Sequence, residues 1–269
     1  MTEYVARTPL TATAMPRIGG LLLIERNAMV YRRTWMILFS GFFEPVFYLF
    51  FFVYPLQTAF SDGDITFGGE TIEYAAFVAP ALLAASAMNG AFYDATNVFW
   101  KLRYGKVYDA MLATPVGPKD VAVGETIWAV VRAMLYSAAF LIVITGLGLV
   151  DSWWGLLVLP ACFVIGFGFA GAGIAAVTWM RNWKDFDLIQ LIMLPMFMFS
   201  ATFYPISVYP EVLEWIVRVL PLYHGIELVR SLTTGAVGPY QLVNVAYLLS
   251  MGLVGLAISS RRIDRLLLK

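Results

Sequence analysis

The sequence predicts an all-α polytopic membrane protein that crosses the bilayer six times. Hydrophobic residues make up 60% of its 269 residues and charged residues only 13%, whereas soluble domains average about 45–50% and about 25%. The apolar residues also fall into six long runs, each near the length of about 20 residues with which a helix spans the hydrocarbon core. These observations exclude a water-soluble globular fold.

The apolar runs set the predicted spans and leave few charges inside the membrane. Glu44 interrupts the first run and Arg132 the third, while the second run is free of charge from 74 to 93. The predicted spans lie at about 34–56, 74–96, 121–150, 153–180, 188–206 and 239–260. They form one membrane domain over residues 34–260.

Lys and Arg residues fall almost entirely on one side of the predicted membrane. Fifteen of the 18 lie before the first span, between spans two and three, between spans four and five, or in the tail at 261–269. The opposite side holds only Arg218 and Arg230. Because cytoplasmic loops carry an excess of basic residues, both termini are predicted to be cytoplasmic. The acidic connection at 57–73 is then exterior, and we expect it to be irregular.

Residue counts also restrict the chemistry of the chain. One Cys and one His exclude a disulfide framework, a thiolate cluster and a multi-histidine metal site. No Lys is followed by Ser or Thr, so the sequence has no Gly-x-x-x-x-Gly-Lys-Ser/Thr phosphate loop. We therefore expect no catalytic residues, no metal and no cofactor in this chain.

Two cytoplasmic segments show helical periodicity of their own. Within the N-terminal segment 1–33, apolar residues such as Leu21, Leu22 and Met29 recur at helical spacing, which predicts an amphipathic interfacial helix over 17–33. The other interpretation is a basic flank of the first span. The connection at 97–120 has a second apolar pattern, which Thr114 and Pro115 end because Pro cannot continue a helix. That short helix either lies on the membrane as a connector or contacts a partner, and we favour the partner.

The exterior segment 207–235 predicts two short helices that dip into the surface, not a seventh span. Pro210 and Pro221 mark the two starts, and each piece of about ten residues is too short to cross the bilayer. Glu211 and Glu214 lie near the start of the first piece and Arg218 near its end, which matches the helix dipole. Glu214 and Arg218 are also spaced for an i, i+4 ion pair.

The charged residues inside the spans need partners, because an isolated charge in the membrane costs at least about 2.5–3.5 kcal/mol. Glu44 and Arg132 lie at similar depth, which predicts an ion pair between them. Glu125, seven residues before Arg132 on the same helix, is the competing partner. For His224 the favoured interpretation is a hydrogen bond to a helix end, in preference to a proton-coupling role.

Several short motifs in this sequence resemble those of a known transporter family. They are Tyr31-Arg32-Arg33 with Trp35, Phe43-Glu44-Pro45 with Phe47-Tyr48-Leu49, Ala79-Pro80-Ala81-Leu82-Leu83-Ala84, Lys106 with Tyr108-Asp109-Ala110-Met111-Leu112-Ala113-Thr114-Pro115, Pro195-Met196-Phe197 with Phe199-Ser200, and Pro221-Leu222-Tyr223-His224-Gly225. The motifs resemble the permease subunits of ABC-2 type exporters, nearest the NodJ-like branch of lipooligosaccharide exporters, with drug permeases as cousins. Ala201 departs from the pattern, since Gly is expected there.

The resemblance implies a fold and a set of partners. Such permeases have an amphipathic interfacial helix, six spans, a cytoplasmic coupling helix and exterior re-entrant helices. They lie in the bacterial cytoplasmic membrane and work as dimers with two nucleotide-binding ATPase subunits, which hold the ATP and Mg²⁺. The coupling helix that contacts the ATPase would comprise Lys106, Val107, Tyr108, Asp109, Met111, Leu112 and Thr114. We expect Tyr108, Met111 and Leu112 to be its apolar anchors. The exterior gate would comprise Glu211, Glu214, Arg218, Pro221 and His224.

The leading functional hypothesis is an exporter subunit that moves a lipid-linked, glycolipid or amphipathic molecule through a permease homodimer, without binding nucleic acid. An alternative on the same fold is a multidrug or antibiotic efflux permease. An intramembrane lipid-modifying enzyme would need a clustered set of acid, base or nucleophile. An ion-coupled secondary transporter would favour internal repeats, and the sequence shows no convincing one.

Overall fold

The computed structural model describes residues 19–33, 35–59, 64–112 and 116–267, and these residues are mostly helical. In chain order the helices are α1 (Gly19–Arg33), α2 (Trp35–Tyr48), α3 (Tyr54–Ala59), α4 (Tyr74–Arg103), α5 (Val107–Leu112), α6 (Pro118–Gly146), α7 (Val158–Val177), α8 (Asp185–Phe199), α9 (Glu211–Val219), α10 (Pro221–Thr234) and α11 (Tyr240–Leu267). A π-helical segment (Leu49–Val53) joins α2 to α3, and 3₁₀ turns lie at Trp153–Leu157 and Ile206–Val208.

Four helices among the described residues are long and apolar enough to cross a membrane. They are α4, α6, α11 and the helical stretch Trp153–Val177, which includes α7. The central helix is α4, most of whose side chains are buried against α6, α7 and α10, while α11 packs along α7. These four helices coincide with the second, third, fourth and sixth predicted spans. The all-α membrane fold predicted from composition is confirmed to this extent.

The first and fifth predicted spans are helical, but neither contains a single helix long enough to meet the same description. Helix α2, the π segment and α3 follow one another without a break over 35–59, which is about 37 Å at 1.5 Å per residue. Helix α8 has 15 residues, with Pro195 inside it, and spans only about 22 Å. That is shorter than the hydrocarbon core of about 30 Å. The six-span topology therefore stays a prediction.

The connection between α3 and α4 contains a β-hairpin, where the sequence predicted an irregular loop. Strand β1 (Asp64–Phe67) pairs antiparallel with β2 (Glu70–Glu73), with Ile65 opposite Ile72. The turn residues Gly68 and Gly69 have φ of 63° and 89°, the left-handed conformation that a tight type I′ hairpin requires at both positions. The dipeptide Gly-Gly between two short runs of alternating apolar and polar residues was the available signal for this turn.

Glycines in α7 allow the helices of the bundle to approach closely. A Cβ on Gly171 would lie 2.4 Å from the carbonyl oxygen of Gly252, and a Cβ on Gly255 would lie 2.3 Å from the carbonyl carbon of Gly171. Helices α7 and α11 therefore cross in backbone contact. Gly166 and Gly173 likewise face Ala133 of α6 and Phe92 of α4. The run of small residues in this span marks helix contact, which is how membrane helices gain packing energy.

Candidate functional site

Arg132 lies in the middle of α6 and is almost fully buried, with 3% of its surface exposed. Its guanidinium donates to the carboxylate of Asp94 on α4 at 3.1 Å. It also donates to the hydroxyl oxygens of Tyr31 and Tyr136, each at 2.9 Å, and Asn97 donates to the same Tyr31 hydroxyl at 2.8 Å. This arginine cluster joins α1, α4 and α6.

The arginine cluster corrects the predicted ion pair between Glu44 and Arg132. In the structure the carboxylate partner of Arg132 is Asp94, and Glu44 accepts a hydrogen bond from the Tyr93 hydroxyl at 3.5 Å. The reason lies in the packing of the spans: α4 lies directly against α6, so an acid on α4 reaches Arg132 first. Asp94 comes one residue after the charge-free run 74–93 and lies within the second predicted span at 74–96, but it was not considered as a partner.

Glu125, the competing partner, belongs to a second buried group. Lys101 donates to both of its carboxylate oxygens at 2.8 Å. Asn27 of α1 donates to one of them at 3.2 Å, and the Tyr108 hydroxyl donates to the other at 3.0 Å. Glu125 is fully buried. This glutamate cluster therefore ties α5 to α1, α4 and α6.

The glutamate cluster also corrects the predicted role of Tyr108. Its side chain is 1% exposed, so it does not offer itself to a partner protein. A short amphipathic helix on a bundle turns its apolar face inward, and Met111 packs against the buried apolar residues that surround Tyr108. Burial and the Glu125 carboxylate together raise the pKa of Tyr108 well above its ordinary value. The hydroxyl therefore keeps its proton and remains a donor.

Fewer of the predicted partner-contacting residues remain on the outer surface of α5 than the sequence suggested. The helix covers Val107–Leu112, shorter than the predicted 106–114, and Thr114 lies outside the described residues. Asp109 and Leu112 belong to the helix. Lys106, just before it, is exposed and has a left-handed φ of 46°, and Ala110 is exposed on the helix itself.

A cavity of about 600 Å³ opens beside the two polar clusters, between α1, α2, α4 and α6. Its polar lining residues are Arg26, Asn27, Tyr31, Glu44, Tyr93, Asn97, Lys101, Arg132 and Tyr136, and Gly41, Val30, Trp100 and Val107 complete it. A second, smaller cavity lies between α2, α4 and α8. Glu44 and Tyr93 line both. The volume of the larger cavity falls in the range of small-molecule sites.

Comparison with known proteins shows the family to which this chain belongs. A family model described as ABC-2 type transporter matches residues 20–233, most of the chain. The chain belongs to the ABC-2 type transporter family. Members of this family are membrane components of transporters and are not themselves catalytic. The fold, with its long apolar helices, is accordingly that of a multi-pass membrane protein.

The ABC-2 relatives include several proteins named Nodulation protein J. The protein from Rhizobium leguminosarum bv. trifolii is 28% identical over 231 residues, covering 84% of this chain and 86% of the relative. The one from Sinorhizobium fredii is 29% identical over 210 residues, with 77% and 78% covered. That from Rhizobium meliloti is 26% identical over 233 residues, with 84% and 86% covered. The NodJ-like resemblance of the motifs is thereby confirmed.

At the opposite end of this ABC-2 bundle, a fully buried arginine joins three elements. Arg230 of α10 donates to the carbonyl oxygens of Phe77 at 3.0 Å and Ala201 at 2.8 Å. Its guanidinium also stacks 3.7 Å from the centre of the Phe77 ring. Ala201 has a left-handed φ of 57°, a conformation that favours Gly. The departure from the family pattern at Ala201 thus falls where the backbone would accept Gly more readily.

The predicted gate residues divide between a surface helix and a core helix. Helix α9 has Pro210 as its N-cap, Glu211 exposed at its start, and an ion pair between Glu214 and Arg218. Pro221 starts α10, but most of α10 is buried against α4, α7 and α11. The two short helices predicted in this segment are therefore present, with α9 largely exposed and α10 packed into the bundle, and their role as an exterior gate stays a prediction.

His224 of α10 contacts the side chain of Asn244, near the start of α11. The sequence had predicted a hydrogen bond to a helix end. The His224 Nδ1 lies 2.7 Å from the side-chain oxygen of Asn244. The Asn244 amide nitrogen donates to Gln241 at 2.8 Å, so its oxygen is the acceptor for an Nδ1–H of His224. The imidazole also stacks on Tyr247, with ring centres 4.1 Å apart. His224 therefore fastens α10 to α11.

Sequence reasoning singled out Arg132, Glu125 and Tyr108 but missed several of their polar partners. Asp94 lay near the end of the second predicted span, Asn27 in the predicted interfacial helix and Lys101 in the cytoplasmic connection. The signal that could have found them is helical spacing: Asp94, Asn97 and Lys101 follow one another at i, i+3 and i+7 on α4. That spacing places the three on one helix face.

Proposed function

We propose that this chain is the permease subunit of an exporter that moves a lipid-linked, glycolipid or other amphipathic molecule out of the cytoplasm or the inner leaflet. A separate ATPase subunit, with its own ATP and Mg²⁺, supplies the energy. The observation that carries the proposal is the ABC-2 family match over residues 20–233. The cavity beside α1 supports it, because its aromatic and polar lining suits a headgroup attached to an apolar tail.

The proposed topology has six spans with both termini in the cytoplasm of a bacterial cell. Helices α2 and α3 with the π segment form the first span, and α8 with the turn after it forms the fifth. The end of the bundle that carries α5 faces the cytoplasm. Its basic residues support this orientation, since Lys101, Arg103 and Lys119 flank α5, Arg181 precedes α8, and Arg261 lies near the end of α11.

The proposed contact with the ATPase subunit is the outer surface of α5. Because the Tyr108 side chain points inward, we no longer propose that it contacts the ATPase subunit. Its proposed role is to connect α5 to Glu125 inside the bundle. A displacement of α5 would pull on Glu125 through the Tyr108 hydroxyl, and Glu125 holds Lys101 and Asn27 in the cavity wall. Movement at the ATPase would thus reach the side chains that line the cavity.

A second permease copy completes the proposed complex, with two ATPase subunits. Helix α2, the π segment that follows it and α8 present large apolar side chains outward, among them Phe47, Phe51, Leu191 and Ile192. Phe47 of α2 and Phe51 of the π segment stack with ring centres 5.4 Å apart. These faces are suited to contact with lipid and with the second copy.

The orientation predicts which cysteines an impermeant reagent reaches from outside the cell. Cys162 is the one native Cys and is buried. Cys introduced at the exposed positions Glu211 and Ala236, on either side of α9 and α10, should both react from outside. Cys at Lys119, at the exposed start of α6, should react only after the membrane is opened. Reaction of Glu211→Cys and Ala236→Cys from opposite sides would establish a seventh crossing and reject the topology.

A further inference from the structure

Glu44 is the acidic residue that the two cavities share. It lies nine residues into α2, about 14 Å along the helix at 1.5 Å per residue. Its side chain is exposed to the cavities and accepts a weak hydrogen bond from Tyr93 at 3.5 Å. No cation pairs with it among the residues that the structure describes. A carboxylate at this depth in a membrane needs a compensating charge or water.

The buried acids of the two polar clusters do not share this condition. Asp94 is bound by Arg132, and Glu125 is bound by Lys101. The positive charges of these two pairs are therefore already neutralised by buried carboxylates. Glu44 differs from both acids in being accessible, and it lies where a molecule in either cavity would touch it.

The surroundings of Glu44 favour an organic cation over an inorganic one. Tyr48, Phe92, Tyr93 and Phe197 line the smaller cavity with it, and Tyr136 lines the larger. Aromatic faces attract an ammonium group and also receive apolar tails. A metal ion would instead call for several oxygen or nitrogen ligands, and the described residues hold no cluster of three His, Cys, Asp or Glu side chains.

We propose that Glu44 binds the positively charged amine of an amphipathic substrate, whose apolar part lies against the aromatic side chains between α2, α4 and α8. The inference rests on the proposed function, because it names the class of molecule that the exporter carries. The carboxylate forms a charge-assisted hydrogen bond with the ammonium group, and the surrounding rings add cation–π attraction. Neutral and anionic amphiphiles of similar shape lack both interactions.

The test is direct binding to the purified full chain in detergent, without ATPase or ATP. The probes are the cationic xanthene dye rhodamine 6G and the anionic dye fluorescein, followed by fluorescence anisotropy. We expect rhodamine 6G to bind at least tenfold more tightly than fluorescein. Glu44→Gln should weaken rhodamine 6G binding by about tenfold to a hundredfold, the range for losing a charge-assisted hydrogen bond. Glu44→Asp should retain most of the affinity.

Glu25→Gln is the matched control, since Glu25 is an exposed carboxylate of α1 outside both cavities. It should bind rhodamine 6G like the wild type, and both Gln variants should unfold at the wild-type temperature. Equal binding of rhodamine 6G by wild type and Glu44→Gln, or equal binding of both dyes by the wild type, would overturn the inference. Dye binding that depends on Glu44 in a chain that never exports with an ATPase would instead contradict only the proposed function.

Discussion

Asp94→Asn is expected to lower the free energy of unfolding by about 3–5 kcal/mol, the usual cost of leaving a buried charge without its partner. Asp94 is fully buried, and the guanidinium of Arg132 loses this carboxylate contact when the charge is removed. The Tyr31 and Tyr136 hydroxyls remain, but neutral oxygens do not compensate a buried cation. The measurement is unfolding in mixed detergent and SDS, followed by the helical circular dichroism signal.

The double-mutant cycle makes this expectation specific to the ion pair. Asp94→Asn combined with Arg132→Gln should cost clearly less than the sum of the two single changes, because no charge is then stranded. Asp187→Asn is the control, an exposed acid at the start of α8 whose loss should cost less than about 1 kcal/mol. If the two cluster variants were simply additive, the Asp94–Arg132 pair would not be the stabilising interaction.

The second large effect is expected at the crossing of α7 and α11. Gly171→Ala should cost about 1–3 kcal/mol, the usual range for overpacking a core, and should lie at its upper end. The atoms that the new Cβ would meet are the Gly252 carbonyl oxygen at 2.4 Å and the Gly252 Cα at 3.0 Å. Because these are backbone atoms, the two helices must separate to admit a methyl group. The free energy is measured by the same unfolding assay.

Gly146→Ala is a closely matched control for that substitution. Gly146 is the last residue of α6, and a Cβ there would meet no atom within 4 Å. Ala in its place should leave stability unchanged or raise it by up to about 1 kcal/mol, because Ala has the higher helix propensity. Equal stabilities of Gly146→Ala and Gly171→Ala would show that the crossing tolerates a wider separation than the structure has.

Apolar runs proved to be the most informative feature of the sequence. They predicted four helices of membrane-spanning length, because a run without charge reports burial in lipid or protein directly. Pro210 and Pro221 similarly marked the starts of α9 and α10, since Pro restricts the backbone locally. What these local signals do not specify is which helix packs beside which. That is why the packing of α10 against α4, α7 and α11 was not predicted.

The polar partners could not be derived from the sequence for the same reason. Depth along a helix made Glu44 and Arg132 a possible pair, but pairing depends on the neighbours around the helix axis. Arg132 on α6 faces α4, so Asp94 is its partner. Tyr108 was expected to face outward because its apolar helix was assigned to a partner protein. The bundle itself covers that face.

The central claim, that this permease exports with energy from an ATPase subunit, is tested most directly by reconstitution. The chain is placed in proteoliposomes alone and with the ATPase subunit that purifies with it, and movement of a fluorescent glycolipid and of rhodamine 6G across the bilayer is followed. The account predicts movement of such an amphiphile only when both subunits and ATP are present. Movement at the same rate with the chain alone, or without ATP, would contradict it.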